Sequence, residues 1–471
     1  MFRGTLVPSK MRENMSSQMN NEASSNALLL LITRLHFYVG LFVGPFIFIA
    51  ALTGTLYILS PQIEQAVYKD VLTTQSRGDY QPLANQIAAA RSHLTSDLTL
   101  FAVRPAPEIG DNTRVMFLDP TARLTGARAL FIDPVTLNLK GNLPVYGTSG
   151  VLPIRTTIDF FHRQLLLGEV GRYYSELAAS WLWIAALGGI FLWYKGGKKN
   201  QSEVASKTAH LRKRRRHYQL GLWIFVGLIF VSATGLTWSK WAGSNIGSLR
   251  ASIGWVTPSV DLSLSQHKTN QQSDEHLDHA HHGSSKMATS GVGSHNSDLL
   301  FDGVLKAARD AGIDANKIEI KPDRTGHKAW FVREIDRSWP TQVDSVAVDT
   351  RTMTVTSRAN FDAFPLVAKL IRWGIDAHMG VLFGVPNQIL LTLFGLSVCM
   401  MIIWGYKMWW IRRPNAGSTS KPLLQAWSKL TSGQKVMTFG VAIALGLSMP
   451  VMGVSLILFL LIDAWRWKNA A

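Results

Sequence analysis

Four histidines stand in a repeated frame. His36 is followed by Gly40 four residues on and by Thr53-Gly54 at +17 and +18, and His217 is followed by Gly221 and Thr234-Gly235 at the same spacings. His162 and His378 form a second matched pair. Each comes 29 residues after an aspartate, Asp133 or Asp349, and each meets a glycine six residues later, Gly168 or Gly384. A lone histidine at a helix end is usually interfacial or capping. Two unrelated interfacial histidines need not share a frame, so the matched spacing favours a common chemical role. Ionisable residues at the edge of a membrane are costly and usually functional.

A second group is of another kind. His267, His276, His279, His281, His282 and His295 lie among Ser, Gly, Asn and Gln. The composition is that of a metal-binding low-complexity linker. Its imidazoles and nearby carboxylates suit Zn, Cu, Ni or Fe without a fixed geometry, and a plain solvated linker is the competing reading.

The elements that must position these residues are apolar. The chain has 471 residues, 47% of them hydrophobic. The runs Leu35–Leu59, Leu177–Tyr194, Tyr218–Ser239, Ile389–Tyr406 and Val436–Ile462 are each about long enough to cross a bilayer as a helix. Pro450 sits inside the last run and is expected to kink it, giving a fifth span with its C-terminus outside; a re-entrant segment is the alternative. The net charge of +17 is gathered beside the runs, in "KGGKK" from Lys195, "RKRRRH" from Arg212 and "RR" at Arg412. That bias marks cytoplasmic loops, which puts the N-terminus inside and both polar blocks outside. No motif context accompanies the arginines, so nucleic acid is not an expected partner. The one cysteine, Cys399, excludes a disulfide framework, a c-type haem attachment and a thiolate cluster. There is no Walker loop, dinucleotide or flavin fingerprint, so electrons for any redox reaction must arrive from a partner or a membrane carrier.

The repeat extends through the polar blocks. "ALFIDPVTLNLKG" and "SVAVDTRTMTVTS" each read as a hairpin turning at an aspartate, preceded by the helical patterns "NQIAAARSHL" and "DGVLKAARDAG". The expected fold is a membrane α-helical bundle with two small α+β extracytoplasmic domains, arising by tandem duplication. In order it comprises a cytoplasmic tail (1–30), a first span (31–60), a first small domain (61–157), a histidine-bearing amphipathic segment with the second span (158–195), a basic loop (196–216), a third span (217–240), a histidine-rich linker with the second small domain (241–363), a second amphipathic segment with the fourth span (364–412), and a linker with the kinked last segment (413–471).

The "LH…GL…TG" frames, the "DP-T" and "DT-T" hairpins and the approaches "DFFHRQLLLG" and "GIDAHMGVLFG" resemble those of the PepSY-associated transmembrane family, the iron-regulated membrane proteins that include siderophore reductases. The resemblance covers most of residues 30–412. It implies a bacterial inner-membrane protein with periplasmic PepSY-like domains, carrying haem b and passing electrons outward to a ferric chelate from an unidentified reductase or quinol. Two imidazoles hold a six-coordinate, electron-transferring haem. His36 with His217, and His162 with His378, are then the expected ligand pairs of two haems, one near each face. Gly40 and Gly221 would let a flat macrocycle lie against its helix, with close helix packing as the other reading. Arg34, Arg215 and Arg216 would meet propionates, or serve only the positive-inside bias. The competing function is a non-enzymatic PepSY module that senses metal or binds a partner.

Overall fold

The structure, a computed structural model, describes residues 27–122, 126–147, 150–195, 209–264, 295–411 and 423–468. His267, His276, His279, His281 and His282 lie outside the described residues. The main helices are α1 (Ala27–Val67), α2 (Leu83–Ser92), α3 (Pro153–Gln164), α4 (Gly168–Lys195), α5 (Ala209–Trp223), α6 (Phe225–Thr237), α7 (Trp241–Ser252), α8 (Phe301–Asp310), α9 (Leu366–His378), α10 (Val385–Ile411), α11 (Leu423–Ser428), α12 (Ser432–Ser448) and α13 (Pro450–Lys468). The strands are β1 (Leu100–Arg104), β2 (Thr113–Leu118), β3 (Gly126–Ile132), β4 (Leu139–Tyr146), β5 (Ile318–Lys321), β6 (Trp330–Glu334), β7 (Ser345–Asp349) and β8 (Thr354–Ala359). The chain divides into two compact units. One holds the chain up to Thr55, His162–Leu249 and Thr392 onward; the other holds Leu56–Phe161 and Arg250–Leu391.

In the first unit, α1, α4 and α10 are each long and apolar enough to cross a membrane, and the bent pair α5–α6 makes a fourth candidate. The expected first span is longer than its apolar run and contains a π-turn at Val39–Val43, where the Gly44 N–H reaches back to the Val39 carbonyl. The expected third span, Tyr218–Ser239, is not straight. It breaks at Ile224 and bends by 61°. Just past the break, a Cβ on Gly227 would fall 2.5 Å from the Phe394 ring, so α6 and α10 approach closely there. Val39, Val43, Trp181, Leu228 and Val398 pack in one apolar core between these helices.

The last apolar run corrects the expectation of a single kinked span. It forms two helices, with Pro450 as the first residue of α13, a position where its missing N–H costs nothing. Leu423 and Leu430 cluster with Leu460, and Asp463 accepts from the Leu424 N–H, so the approach to α12 lies beside the end of α13. The run is a hairpin. Its second arm joins the bundle through Trp181 Nε1 to Ser455 Oγ (2.8 Å), the stacked rings of Phe42 and Phe459, and a hydrogen bond from the Tyr38 hydroxyl to Asp463. The C-terminal helix therefore ends on the Tyr38 side of the bundle, rather than on the far side.

The second unit is built on one antiparallel sheet of order β4-β3-β2-β1-β5-β6-β7-β8. Each half is a helix followed by a four-strand meander, with hairpins at Asp133 and Asp349. The two polar blocks, read from the sequence as separate domains, share this sheet. Alone, β1 and β5 would each present an edge of unpaired backbone groups; pairing them removes both edges. Side chains also tie the halves. Asp302 of α8 accepts from the N–H groups of Leu83 and Ala84 at the start of α2, and Arg91 of α2 pairs with Asp298 at 2.6 Å. α2 and α8 cover one face of the sheet, burying Ile87, Phe301, Val115, Ile320 and Val332.

Candidate functional site: a histidine pair on equivalent carbonyls

His36 sits near the start of α1 and His217 within α5, both in the helical unit. His36 Nδ1 lies 3.1 Å from the carbonyl oxygen of Ala185 on α4, and His217 Nδ1 lies 3.1 Å from that of Met401 on α10. Ala185 and Met401 are 216 positions apart, the same offset as His162 and His378. A carbonyl oxygen only accepts, so Nδ1 carries the proton in both rings and Nε2 presents a lone pair. A backbone carbonyl on one ring nitrogen is the usual support for an imidazole that ligates through the other. The two rings lie near enough for their charges to interact.

Glycines lie beside these rings, each with its Cβ position at ordinary contact distance. A Cβ on Gly189 would lie 3.4 Å from His36 Cε1 and one on Gly188 3.6 Å from its Nδ1; a Cβ on Gly405 would lie 3.9 Å from His217 Cε1. Gly189 and Gly405 are again 216 positions apart. These glycines escaped the sequence reading, although their offset from Ala185 and Met401 is visible once those acceptors are known. Gly40 has nothing within 4 Å of its Cβ position, and the Cβ of Gly221 would meet only Met401 Sδ at 3.5 Å. Open space rather than helix packing surrounds Gly40. Arg34 Nε is buried with no hydrogen-bond partner, a donor that asks for an anion. Arg215 and Arg216 are exposed.

His162, on α3, approaches α1 at its other end. Its Nδ1 lies 3.1 Å from Thr53 Oγ1, and its Cε1 lies 3.1 Å from where a Cβ on Gly54 would stand. The single hydroxyl proton of Thr53 is directed at the Ile49 carbonyl, 2.7 Å away. The hydroxyl therefore accepts from His162 Nδ1–H, and Nε2 is again the ring's lone pair. The Tyr174 hydroxyl donates to the His162 carbonyl at 2.7 Å and fixes the backbone. Thr53-Gly54, noted in the sequence only as part of the frame, is thus the seat of His162. From His36 to Thr53 the helix rises roughly 25 Å, most of a hydrocarbon thickness. His378 closes α9 in the other unit.

The donor set suits haem. An imidazole protonated at Nδ1 and offering Nε2, as in His36 and His217, is of the kind that holds haem iron, glycines lie beside these two rings, and Arg34 Nε is an unmet donor for a carboxylate. Among the described residues no group of three or more His, Cys, Asp or Glu is arranged to hold a bare metal ion. Residues 33–412 match the PepSY-associated TM region, and the chain belongs to that family. The hairpin α12–α13 lies beyond the matched residues. No curated protein matches the chain.

Proposed function

We propose that the protein is a transmembrane electron conduit that holds haem b and reduces ferric chelates on the outer side of a bacterial inner membrane, drawing electrons from a cytoplasmic reductase or the quinol pool. The observation that carries this reading is the equivalence of His36 on Ala185 with His217 on Met401. Bound haem would supply reversible one-electron chemistry. His36 and His217 would hold one haem through Nε2, while the Ala185 and Met401 carbonyls fix ring orientation and raise ligand basicity. Arg34 would receive a propionate. Val39, Val43 and their apolar neighbours exclude water from the span, which holds electrons to the haem path. His162, seated on Thr53 and Gly54, would serve at the opposite face. We also read the two halves as copies of one unit, since the meander recurs in each half and the hairpin aspartates, the histidines His162 and His378, and the acceptor carbonyls of Ala185 and Met401 all recur at one offset.

Absorbance spectra of the purified full-length protein, oxidised and dithionite-reduced, test the reading. A Soret band with acid-extractable haem is expected. His36→Ala and His217→Ala should each remove about the same half of it, and the double variant little more, because groups acting as a unit are non-additive. A colourless protein from haem-replete cells, or two single variants with full haem content, would sink the proposal.

A further inference from the structure

The helix α9 turns leucines outward and its carboxylate inward. Leu366 and Leu370, one turn apart, are 66% and 55% exposed, and Trp373 continues their stripe at the i, i+4, i+7 spacing. Ala368 and Ile375 form the opposite, buried face. Asp376, the one carboxylate of α9, is fully buried and takes Arg372 at 3.1 Å and Arg337 at 2.6 Å. The loop between β6 and β7 extends the stripe. Trp339, 57% exposed, lies 5.6 Å ring to ring from Trp373 and 6.0 Å from Phe383, itself 55% exposed. Two contacts fix this loop: the Arg337–Asp376 pair, and the Trp339 N–H on the Leu382 carbonyl at 2.7 Å. Leu366, Leu370, Trp373, Trp339 and Phe383 thus form one ledge, firmly held and not covered by the described residues. A contiguous exposed apolar surface marks a protein or membrane partner, whereas scattered single residues do not.

Continuity and chemistry select the membrane. Val385, the first residue of α10, follows Phe383 by two positions, and α10 is long and apolar enough to cross a bilayer. Val385, Ile389 and Leu390 at its start are exposed as well, so the apolar surface runs from the ledge into that helix. Tryptophan, an apolar ring with a single N–H, favours the boundary between hydrocarbon and headgroups. The five side chains of the ledge carry no charge to pair with a protein partner. We propose that the ledge is seated in the bilayer–water boundary, with Leu366, Leu370, Trp339 and Phe383 among phospholipid chains beside the entry of α10. The sheet is then moored to the membrane at its β6–β7 end. The proposal is independent of haem.

An environment-sensitive fluorophore is attached to Leu370→Cys, Trp339→Cys or Thr325→Cys, each combined with Cys399→Ser, in the full-length protein held in phosphatidylcholine–phosphatidylglycerol nanodiscs. Thr325 is exposed in the β5–β6 turn, at the other end of β6 from Trp339, and serves as the reference. The two ledge labels should be quenched at least ~2-fold more by lipid with a nitroxide high on its acyl chain than by lipid with one at the chain end, as for a face seated about 5–10 Å into the boundary. They should also resist aqueous iodide, while the reference label responds to iodide alone. Iodide quenching of the ledge labels without lipid quenching would put the ledge in water and overturn the proposal. Resistance to both quenchers would mean cover by protein, a second copy included, and would overturn it too. Stronger quenching from the chain end, or lipid quenching of the reference label equal to that of the ledge, would do the same. Circular dichroism identifies any variant that fails to fold; if Trp339→Cys does, Leu370→Cys, on the opposite side of Trp373, carries the test.

Discussion

A histidine ligates well only when its other nitrogen is committed, and here the commitment falls to backbone. Neither Ala185 nor Met401 has a side chain that announces the role, so the sequence showed the histidines and hid their supports. The glycines beside the rings carry a direct test. Gly189→Val puts branched carbon where His36 Cε1 already lies 3.4 Å from a Cβ position, so haem per protein should fall; Gly440→Ala on α12, entering open space away from the histidines, should leave it unchanged. Equal haem content in the two variants would remove Gly189 from the site. Asp133 illustrates a purely structural residue at the same scale. Burial would raise its carboxyl, but the Ser76 and Thr74 hydroxyls and the Val135 and Thr136 N–H groups hold it well below the usual carboxylate range. A carboxylate depressed in the fold adds stability above its ordinary pKa, and that stability is lost as pH falls through the lower folded value. Thermal unfolding from pH 7 to 3 should therefore show an acid-side loss that is smaller in Asp133→Asn. An unchanged acid limb would contradict the assignment.

Elements were legible where a pattern is local. The helices α2 and α8, the two hairpins and the amphipathic α3 and α9 follow from periodicity and turn residues. The 61° break in the third run and the hairpin at Pro450 were not legible, because an unbroken apolar string reads alike whether its helix is straight, bent or folded back. The corner between α3 and α4 is another such feature. Leu165, Leu166 and Gly168 all take positive φ, and a Cβ on Gly171 would sit 1.7 Å from the Gln164 carbonyl oxygen. Backbone has nowhere to yield, so Gly171→Ala should cost about 2–3 kcal/mol and shift His162 from Thr53. A normal melting temperature with unaltered haem spectra would show that the corner does not set His162.

For the whole molecule, the pairing of β1 with β5 was beyond the sequence because alternation identifies strands without naming their partners. The same limit hid the closing contact of the chain, where Asp463 meets Tyr38 two residues past His36. This contact has a topological outcome. The start of α1, the ends of α4 and α10 and the end of α13 lie at the histidine-pair end of the helical unit. Reporters fused after Ala471 and at Asn200 should therefore give the same signal, and one at Gln271 the opposite. A C-terminal reporter that matched Gln271 instead would refute the hairpin.

The π-turn at Val39–Val43 acts as a phase adjuster. Each residue of an α-helix advances the azimuth by about 100°, and a π-turn absorbs roughly one residue's worth of that advance within a single turn. Deleting a residue there would therefore yield a more regular helix whose two ends still face their present neighbours. Inserting a further residue would swing His36 off Ala185 by about 100° while Thr53 still met His162. The second frame breaks at Ile224, seven residues after His217, as Val43 is seven after His36. In both frames the two turns after the histidine should tolerate exchange of one apolar residue for another far better than insertion of one.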